Sequence, residues 1–175
     1  MKIVCFGDSN TYGYDPRGYL GGRYDPENRW VDLLAQRTGW TFYNRGRNGR
    51  TIPGGPVPLP DADLLVVMLG TNDLLQGASA PEAAARMGHF LKGLSQKQIL
   101  LVAPPPMKRG AWVPTDALIA ESTALAEEYR RLAQAQRLDF LDAAQWHVAL
   151  AFDGVHFTEE GHHAFADALE KELRR

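Results

Sequence analysis

Apolar residues in this chain fall into short unbroken runs separated by stretches with helical spacing. Ile3-Val4-Cys5-Phe6, residues 64–69 (LLVVML) and residues 99–103 (ILLVA) are runs of the first kind. A continuous apolar run of this length suits a parallel strand covered on both faces. Thr41 to Asn44 reads as a short second strand, and Leu138 to Leu141 as a fifth, shorter and less apolar. Between them the spacing changes to 3.6. Residues 27–38 carry Trp30, Leu33 and Leu34 at i, i+3 and i+4, with Gly39 as a stop. Ser79-Ala80-Pro81-Glu82 has the capping-box spacing with Pro in the first turn, and opens a helix with Ala84, Met87, Leu91 and Leu94 on one face. Residues 116–136 form a long helix with Leu118, Leu125, Tyr129 and Leu132 inward. Thr158 caps the last helix, Glu159 and Glu160 suit its positive end, and Phe165, Ala168 and Leu169 face in.

Strands that alternate with helices imply a parallel sheet with helices on both faces and right-handed crossovers. Five strands of this kind suit a three-layer α/β/α sandwich of the flavodoxin-like type, order 2-1-3-4-5, whose ligand crevice lies outside the carboxyl ends of strands one and three. Two loops stand beside that crevice. Residues 10–26 hold six Gly or Pro residues with Tyr12, Tyr14, Tyr19 and Tyr24, and residues 45–60 are rich in Arg, Gly and Pro. Long loops at the ligand end of a sheet often line a pocket. No repeat, low-complexity tract or linker interrupts the pattern, so residues 1–175 read as one domain.

Composition narrows the class. The 175 residues are 45% hydrophobic and 23% charged, as in ordinary globular proteins. A net charge of −2 gives no reason to expect nucleic acid or an anionic membrane as partner. One cysteine, Cys5, excludes an internal disulfide framework and a Cys-based zinc cluster, and its place inside strand one makes it core. No apolar run approaches the ~20 residues that span a bilayer, and no hydrophobic leader segment precedes the first strand. The expectation is a cytoplasmic protein.

Four blocks carry candidate chemistry. Ser9 follows the first strand in FGDSNTYG, where an isolated serine is more often a turn former. Acyl transfer by a hydroxyl needs a base to take its proton and return it, and His oriented by a carboxylate is the usual choice. Asp153 and His156 stand three apart in DGVH, where Gly154 permits a tight turn; alone they read equally as a loop Asp and a surface His. Asn72, in GTND, offers an amide donor beside the crevice, or an Asx-type turn at a strand end. Gly49 lies in NRGRNGRT, whose glycines let backbone N–H groups approach a ligand, or which is simply a flexible loop. Asp8 and Asp73 read as loop-holding residues. His162 and His163 read as solvated surface, and His89 and His147 have no evident partner. No G-x-S-x-G is present, against an ordinary α/β-hydrolase elbow.

GDSN, the glycine after NRGRN, GTND and DGVH occur together in the order and approximate spacing of the SGNH hydrolases, also called GDSL esterases. The resemblance runs from residue 6 to about 165, and four dispersed blocks make it specific. It implies Ser9 as nucleophile, His156 as base and Asp153 as its orienter. It implies an oxyanion hole from the backbone N–H groups of Ser9 and Gly49 and the side chain of Asn72, on the same flavodoxin-like fold. Asn10 stands where the most familiar motif has Leu, a replacement found in part of the family.

The resulting expectation is a cofactor-independent, metal-independent carboxylic ester hydrolase whose partner is a small-molecule ester. With no lid helix or long apolar groove evident, a short acyl group such as acetyl is expected, on a carbohydrate or another small alcohol. Asn10, Tyr12, Arg47 and Arg50 are the candidates for substrate contact. Arg45, Arg47 and Arg50 would read a carboxylate or phosphate, or stand as solvated loop charges. Tyr12, Tyr14, Trp112 and Trp146 would line a pocket or stack on a sugar, or serve as packing. A thioesterase or lysophospholipase of the same family is the nearest rival. A non-catalytic flavodoxin-like binding module is the rival of another class, and it has no need of DGVH. A metal-dependent hydrolase using Asp8, Asp153 and His156 is a third, with no ligand spacing to support it.

Overall fold

A computed structural model describes residues 1–18, 22–96 and 98–175. Five parallel strands form its sheet: β1 (Lys2–Gly7), β2 (Thr41–Gly46), β3 (Leu64–Met68), β4 (Ile99–Ala103) and β5 (Asp139–Asp142). Their spatial order is β2-β1-β3-β4-β5. This is the flavodoxin-like order that the alternation of strands and helices predicts. In register, Val4 lies between Tyr43 and Leu65, and Gly7 between Gly46 and Met68.

The helices are α1 (Ser9–Tyr12), α2 (Trp30–Thr38), α3 (Thr71–Leu75), α4 (Ala80–Lys92), α5 (Asp116–Gln136) and α6 (Glu159–Leu173). Side chains alternate across a strand, so one apolar run feeds two cores. Val4, Phe6, Leu65, Val67 and Leu101 pack with Met87 and Phe90 of α4 and with Leu125 and Tyr129 of α5. Ile3, Cys5, Val66, Met68 and Val102 pack with Trp30 and Leu34 of α2 and with Phe165 and Leu169 of α6. That two-sided burial is why the central strands read as unbroken hydrophobic runs.

Capping residues set the helix starts. Ser79 Oγ accepts from Glu82 N–H at 3.4 Å, while Glu82 Oε2 accepts from Ser79 N–H at 2.8 Å, which closes the capping box. Thr158 Oγ1 accepts from Gly161 N–H at 3.0 Å, as its position predicts.

The structure departs from the sequence expectation in several places. Strand β2 runs on to Gly46 rather than stopping at Asn44. A 3₁₀ turn over Pro26–Asn28 precedes α2, which begins only at Trp30. The 10–26 loop opens with the single turn α1 and holds a small antiparallel pair, Tyr14–Asp15 with Gly22–Arg23. Tyr19 lies outside the described residues. Helix α3 occupies what reads as a bare turn at GTND. On α6 the fully buried alanine is Ala166, and Ala168 is only half-buried.

His162 is the largest departure from the expected surface role. Its side chain is wholly buried, edge-on to the rings of Tyr24 and Phe157 at 5.3 Å each. Its Nδ1 faces the Trp30 N–H at 3.5 Å, and its Nε2 has no acceptor among the described residues. Burial first, and then the charges of His163 and Arg29, push its pKa down to about 3. The folded protein therefore leaves His162 neutral down to about pH 3, whereas the unfolded chain protonates it below its ordinary 6.5. The unfolded state binds the extra proton, so stability falls as pH drops through that window. His162→Phe is expected to flatten the dependence by up to one proton, about 1.4 kcal/mol per pH unit at most. Urea midpoints measured from pH 7 down to pH 4 check this, and an unchanged slope would remove His162 as the cause.

Candidate active site

The site is built from the segments that leave the carboxyl ends of β1, β2 and β3, and from the loop before α6. Ser9 is the first residue of α1 and is 5% exposed. Asp8 caps that turn by accepting from Asn10 N–H at 2.9 Å. A loop 147 residues further along brings His156 to the serine, with His156 Nε2 2.9 Å from Ser9 Oγ. On its other side His156 Nδ1 lies 2.7 Å from Asp153 Oδ2. Asp153 and His156 are 1% and 3% exposed.

The Asp–His geometry is local. Asp153 Oδ1 accepts from the N–H groups of Val155 at 2.9 Å and His156 at 3.0 Å, so the carboxylate folds back over its own turn. Gly154 makes that turn at φ 82°, and a Cβ there would sit 2.1 Å from the Lys108 carbonyl oxygen. A strap from Lys108 to Trp112 borders the loop, with Lys108 N–H on Gly154 O (3.0 Å) and Trp112 N–H on Asp153 O (3.0 Å). Burial works against the Asp153 charge, but hydrogen bonds from the His156 side chain and from two backbone N–H groups outweigh it and hold its pKa below the usual value. An ionised Asp153 accepts from Nδ1–H, which leaves Nε2 as the imidazole's acceptor for the serine hydroxyl.

Asp8 behaves differently. Burial raises its pKa to about 6, because one Asn10 N–H and the nearby His156 only partly offset desolvation. Burial also pushes the Cys5 thiol far up, as suits a core residue.

Asn72 lies in the first turn of α3, and its Nδ2 donates to the Arg50 carbonyl at 3.0 Å. A second amide hydrogen remains on that nitrogen. Asp73 Oδ2 accepts from Ile52 N–H at 3.0 Å and its Oδ1 from Arg86 at 3.1 Å, so GTND ties α3 to the loop after β2. Gly49 stands in that loop at φ 69°, in a turn closed by Arg50 N–H on Arg47 O at 3.2 Å. The N–H groups of Ser9 and Gly49 have no protein acceptor among the described residues.

Of the four substrate-contact candidates, Asn10 and Tyr12 are engaged by other residues of the protein, and Arg47 and Arg50 line a cavity beside Gly49. Asn10 is buried, and both ends of its amide are engaged: Oδ1 accepts from Phe157 N–H at 2.9 Å and Nδ2 donates to Val155 O at 3.1 Å. Its carbonyl accepts from Trp30 Nε1 at 2.9 Å. Asn10 is a fastener for the His156 loop. The Tyr12 ring lies under the Arg23 guanidinium at 4.5 Å, a packing role. Arg50 Nη1 donates to Gly7 O at 2.9 Å and also to Arg45 O, while its guanidinium stacks on Phe6 at 4.2 Å. Arg47 is exposed on the rim of a cavity beside Gly49.

The rings that do meet the imidazole are Tyr14, at 4.6 Å, and Trp112, edge-on at 5.0 Å with half its surface exposed. Trp146 packs on Phe165 at 5.0 Å instead. The spacing of Tyr14 and Trp112 along the chain gives no signal that they converge. Among the described residues no three His, Cys, Asp or Glu side chains cluster as metal ligands, and no helix is long and apolar enough to cross a membrane.

Asn10 is expected to act through stability. Asn10→Ala leaves a buried N–H and a buried C=O without partners, at about 1–3 kcal/mol each. A fall of about 3 kcal/mol in urea unfolding is expected; an unmoved midpoint would return Asn10 to the substrate side.

No curated protein sequence matches the chain. A native aryl esterase of M. smegmatis is 27% identical, with a TM-score of 0.80, over 99% of this chain and 98% of that one. A carbohydrate acetylesterase family member from Sinorhizobium meliloti is also 27% identical, with a TM-score of 0.79, over 99% and 97%. Est24, a carbohydrate acetylesterase from the same organism, shares the fold at 24% identity and a TM-score of 0.80, over 99% and 98%. Residues 5–164 match the GDSL-like Lipase/Acylhydrolase family. With nearly its whole length inside that match, the chain belongs to the GDSL-like lipase/acylhydrolase family and is a carboxylic ester hydrolase.

Proposed function

We propose that the protein cleaves short-acyl esters, acetyl esters first among them, with Ser9 as nucleophile, His156 as base and Asp153 as its orienter. The observation that carries this reading is the unbroken chain from Asp153 Oδ2 through the imidazole to Ser9 Oγ, at 2.7 and 2.9 Å. Both distances lie within hydrogen-bond reach, the first requirement of a nucleophile and its base.

In this reading Ser9 Oγ attacks the acyl carbonyl as His156 Nε2 takes its proton. The negative carbonyl oxygen of the tetrahedral intermediate accepts from the N–H groups of Ser9 and Gly49 and from the second amide hydrogen of Asn72. The bond to the alcohol oxygen then breaks, and His156 returns the proton to it. Water next gives a proton to His156 and its oxygen to the acyl carbon. Collapse releases the carboxylic acid, and His156 returns the proton to Ser9.

Two features support a small acyl group and a carbohydrate alcohol. The cavity beside Gly49, of about 840 Å³, mixes arginines with Val57, Leu59 and prolines and is not an apolar channel. Trp112 presents half its surface beside the imidazole, where a sugar ring can stack. The likeness to an S. meliloti carbohydrate acetylesterase family member points the same way.

p-Nitrophenyl acetate tests the mechanism. Ser9→Ala is expected to remove nearly all hydrolysis, and retained activity would rule the serine out. Asn72→Ala is expected to lower kcat by about 10²–10³ if its amide meets the oxyanion. Turnover should also fall from acetyl to octanoyl esters; the opposite order would favour a long-chain lipase or thioesterase.

A further inference from the structure

The arginines of this chain are distributed unevenly with respect to acids. Nine of them, Arg17 and Arg86 among them, hold an Asp or Glu within 4 Å. Five hold none among the described residues, Arg23, Arg45, Arg47, Arg50 and Arg137, and three of these five, Arg45, Arg47 and Arg50, line the one cavity beside Gly49. Val57 and Leu59 contribute apolar surface to the same cavity.

Arg50 is not a free surface charge. Its Nη1 donates to the carbonyls of Gly7 and Arg45, and Phe6 supports the guanidinium plane. Its other guanidinium nitrogens have no protein acceptor among the described residues. Burial, and then the charge of Arg47, lowers the pKa of Arg50; Asp8 beneath it is the offsetting acid, and Asp8 is itself buried. Like charges held together against a low-dielectric wall attract an anion, and a guanidinium matches carboxylate and phosphate in shape as well as charge.

We propose that this cavity seats a second, anionic group of the ester, a carboxylate or a phosphate, and that the enzyme prefers acidic esters to their neutral isosteres. The inference rests on Ser9 as the reacting centre, because Arg50 reaches the Gly7 carbonyl two residues before it. Either half of the ester can bring the anion.

Two matched pairs test it. 4-Acetoxybenzoate against 4-acetoxybenzamide places the charge in the leaving group. Mono-p-nitrophenyl succinate against p-nitrophenyl butyrate places it in the acyl group. In at least one pair the anionic ester is expected to show about tenfold higher kcat/KM, a preference that shrinks as salt screens the arginines. The double variant Arg45→Gln/Arg47→Gln is expected to reduce that ratio by at least about fivefold. Competition by benzoate and by phenyl phosphate then tells which anion the arginines hold better.

A ratio near one in both pairs, or a ratio that the double variant leaves unmoved, would overturn the proposal while neutral-ester turnover leaves the Ser9 mechanism standing. If no ester is turned over, the mechanism fails separately, and calorimetric binding of phenyl phosphate decides the anion seat. Binding weakened at least about fivefold in the double variant sustains it; binding absent, or equal in both proteins, sinks it.

Discussion

The Asn10 carboxamide sits between the two ends of the chain, accepting from Phe157 N–H and donating to the Val155 carbonyl. The Asp153–His156 pair could form from its own four residues, because the carboxylate folds over the turn and accepts from the backbone beneath it. The Ser9–His156 contact cannot form locally. It needs residues 147 apart to meet at 2.9 Å, and a lapse of an ångström there breaks the hydrogen bond. Asn10 is next to the serine and grips the residues on both sides of the histidine. An asparagine at this position therefore joins the turn that carries Ser9 to the loop that carries His156, from a buried position.

The buried carboxylates at this edge differ in how desolvation is balanced against hydrogen bonds. Asp153 accepts from two backbone N–H groups and the imidazole and keeps a low pKa despite its burial. Asp8 is more completely desolvated, has the Asn10 N–H on its carboxylate as a helix cap, and is pushed up to about 6, chiefly by burial. Asp73 serves mainly as a tie, with Ile52 N–H on one oxygen and Arg86 on the other. The division of labour follows: one acid stays ionised to fix the imidazole tautomer, and two hold loops.

Much of the fold is legible in the sequence because its signals are strong. β4 and α5 match their expected limits, since an unbroken apolar run bounded by prolines and a 21-residue amphipathic stretch each admit few alternatives. The one-turn helices α1 and α3 are not legible, because four or five residues carry no period. β2 is faint because it is the sheet's edge, half-buried and polar. At the site, the four motif blocks do converge. What linear spacing hides is which neighbours serve them: Asn10 turns inward and Tyr12 stacks with Arg23, while Tyr14 and Trp112 reach the imidazole from segments nearly a hundred residues apart. His162 escapes notice because a histidine on an amphipathic helix reads as polar, and only tertiary packing reveals that it is neutral and enclosed.

The three hydrogen-bond donors at the crevice also depend on one another. Each follows a different strand, and the flavodoxin-like order makes those strands neighbours without fixing the loops that leave them. Arg50 supplies the missing constraint. Its carbonyl accepts from Asn72 after β3, its own N–H closes the turn that presents Gly49 after β2, and its guanidinium donates to Gly7 at the end of β1. One residue thus stitches all three loops. The side chain that performs the stitching is a cation, so the positions of the neutral donors and the positive potential around them come from the same bonds. A neutral replacement able to preserve the geometry would still remove the field, and a lysine able to keep the charge would lose the guanidinium plane that stacks on Phe6. In this fold the shape of the crevice and its charge are a single feature of the sequence.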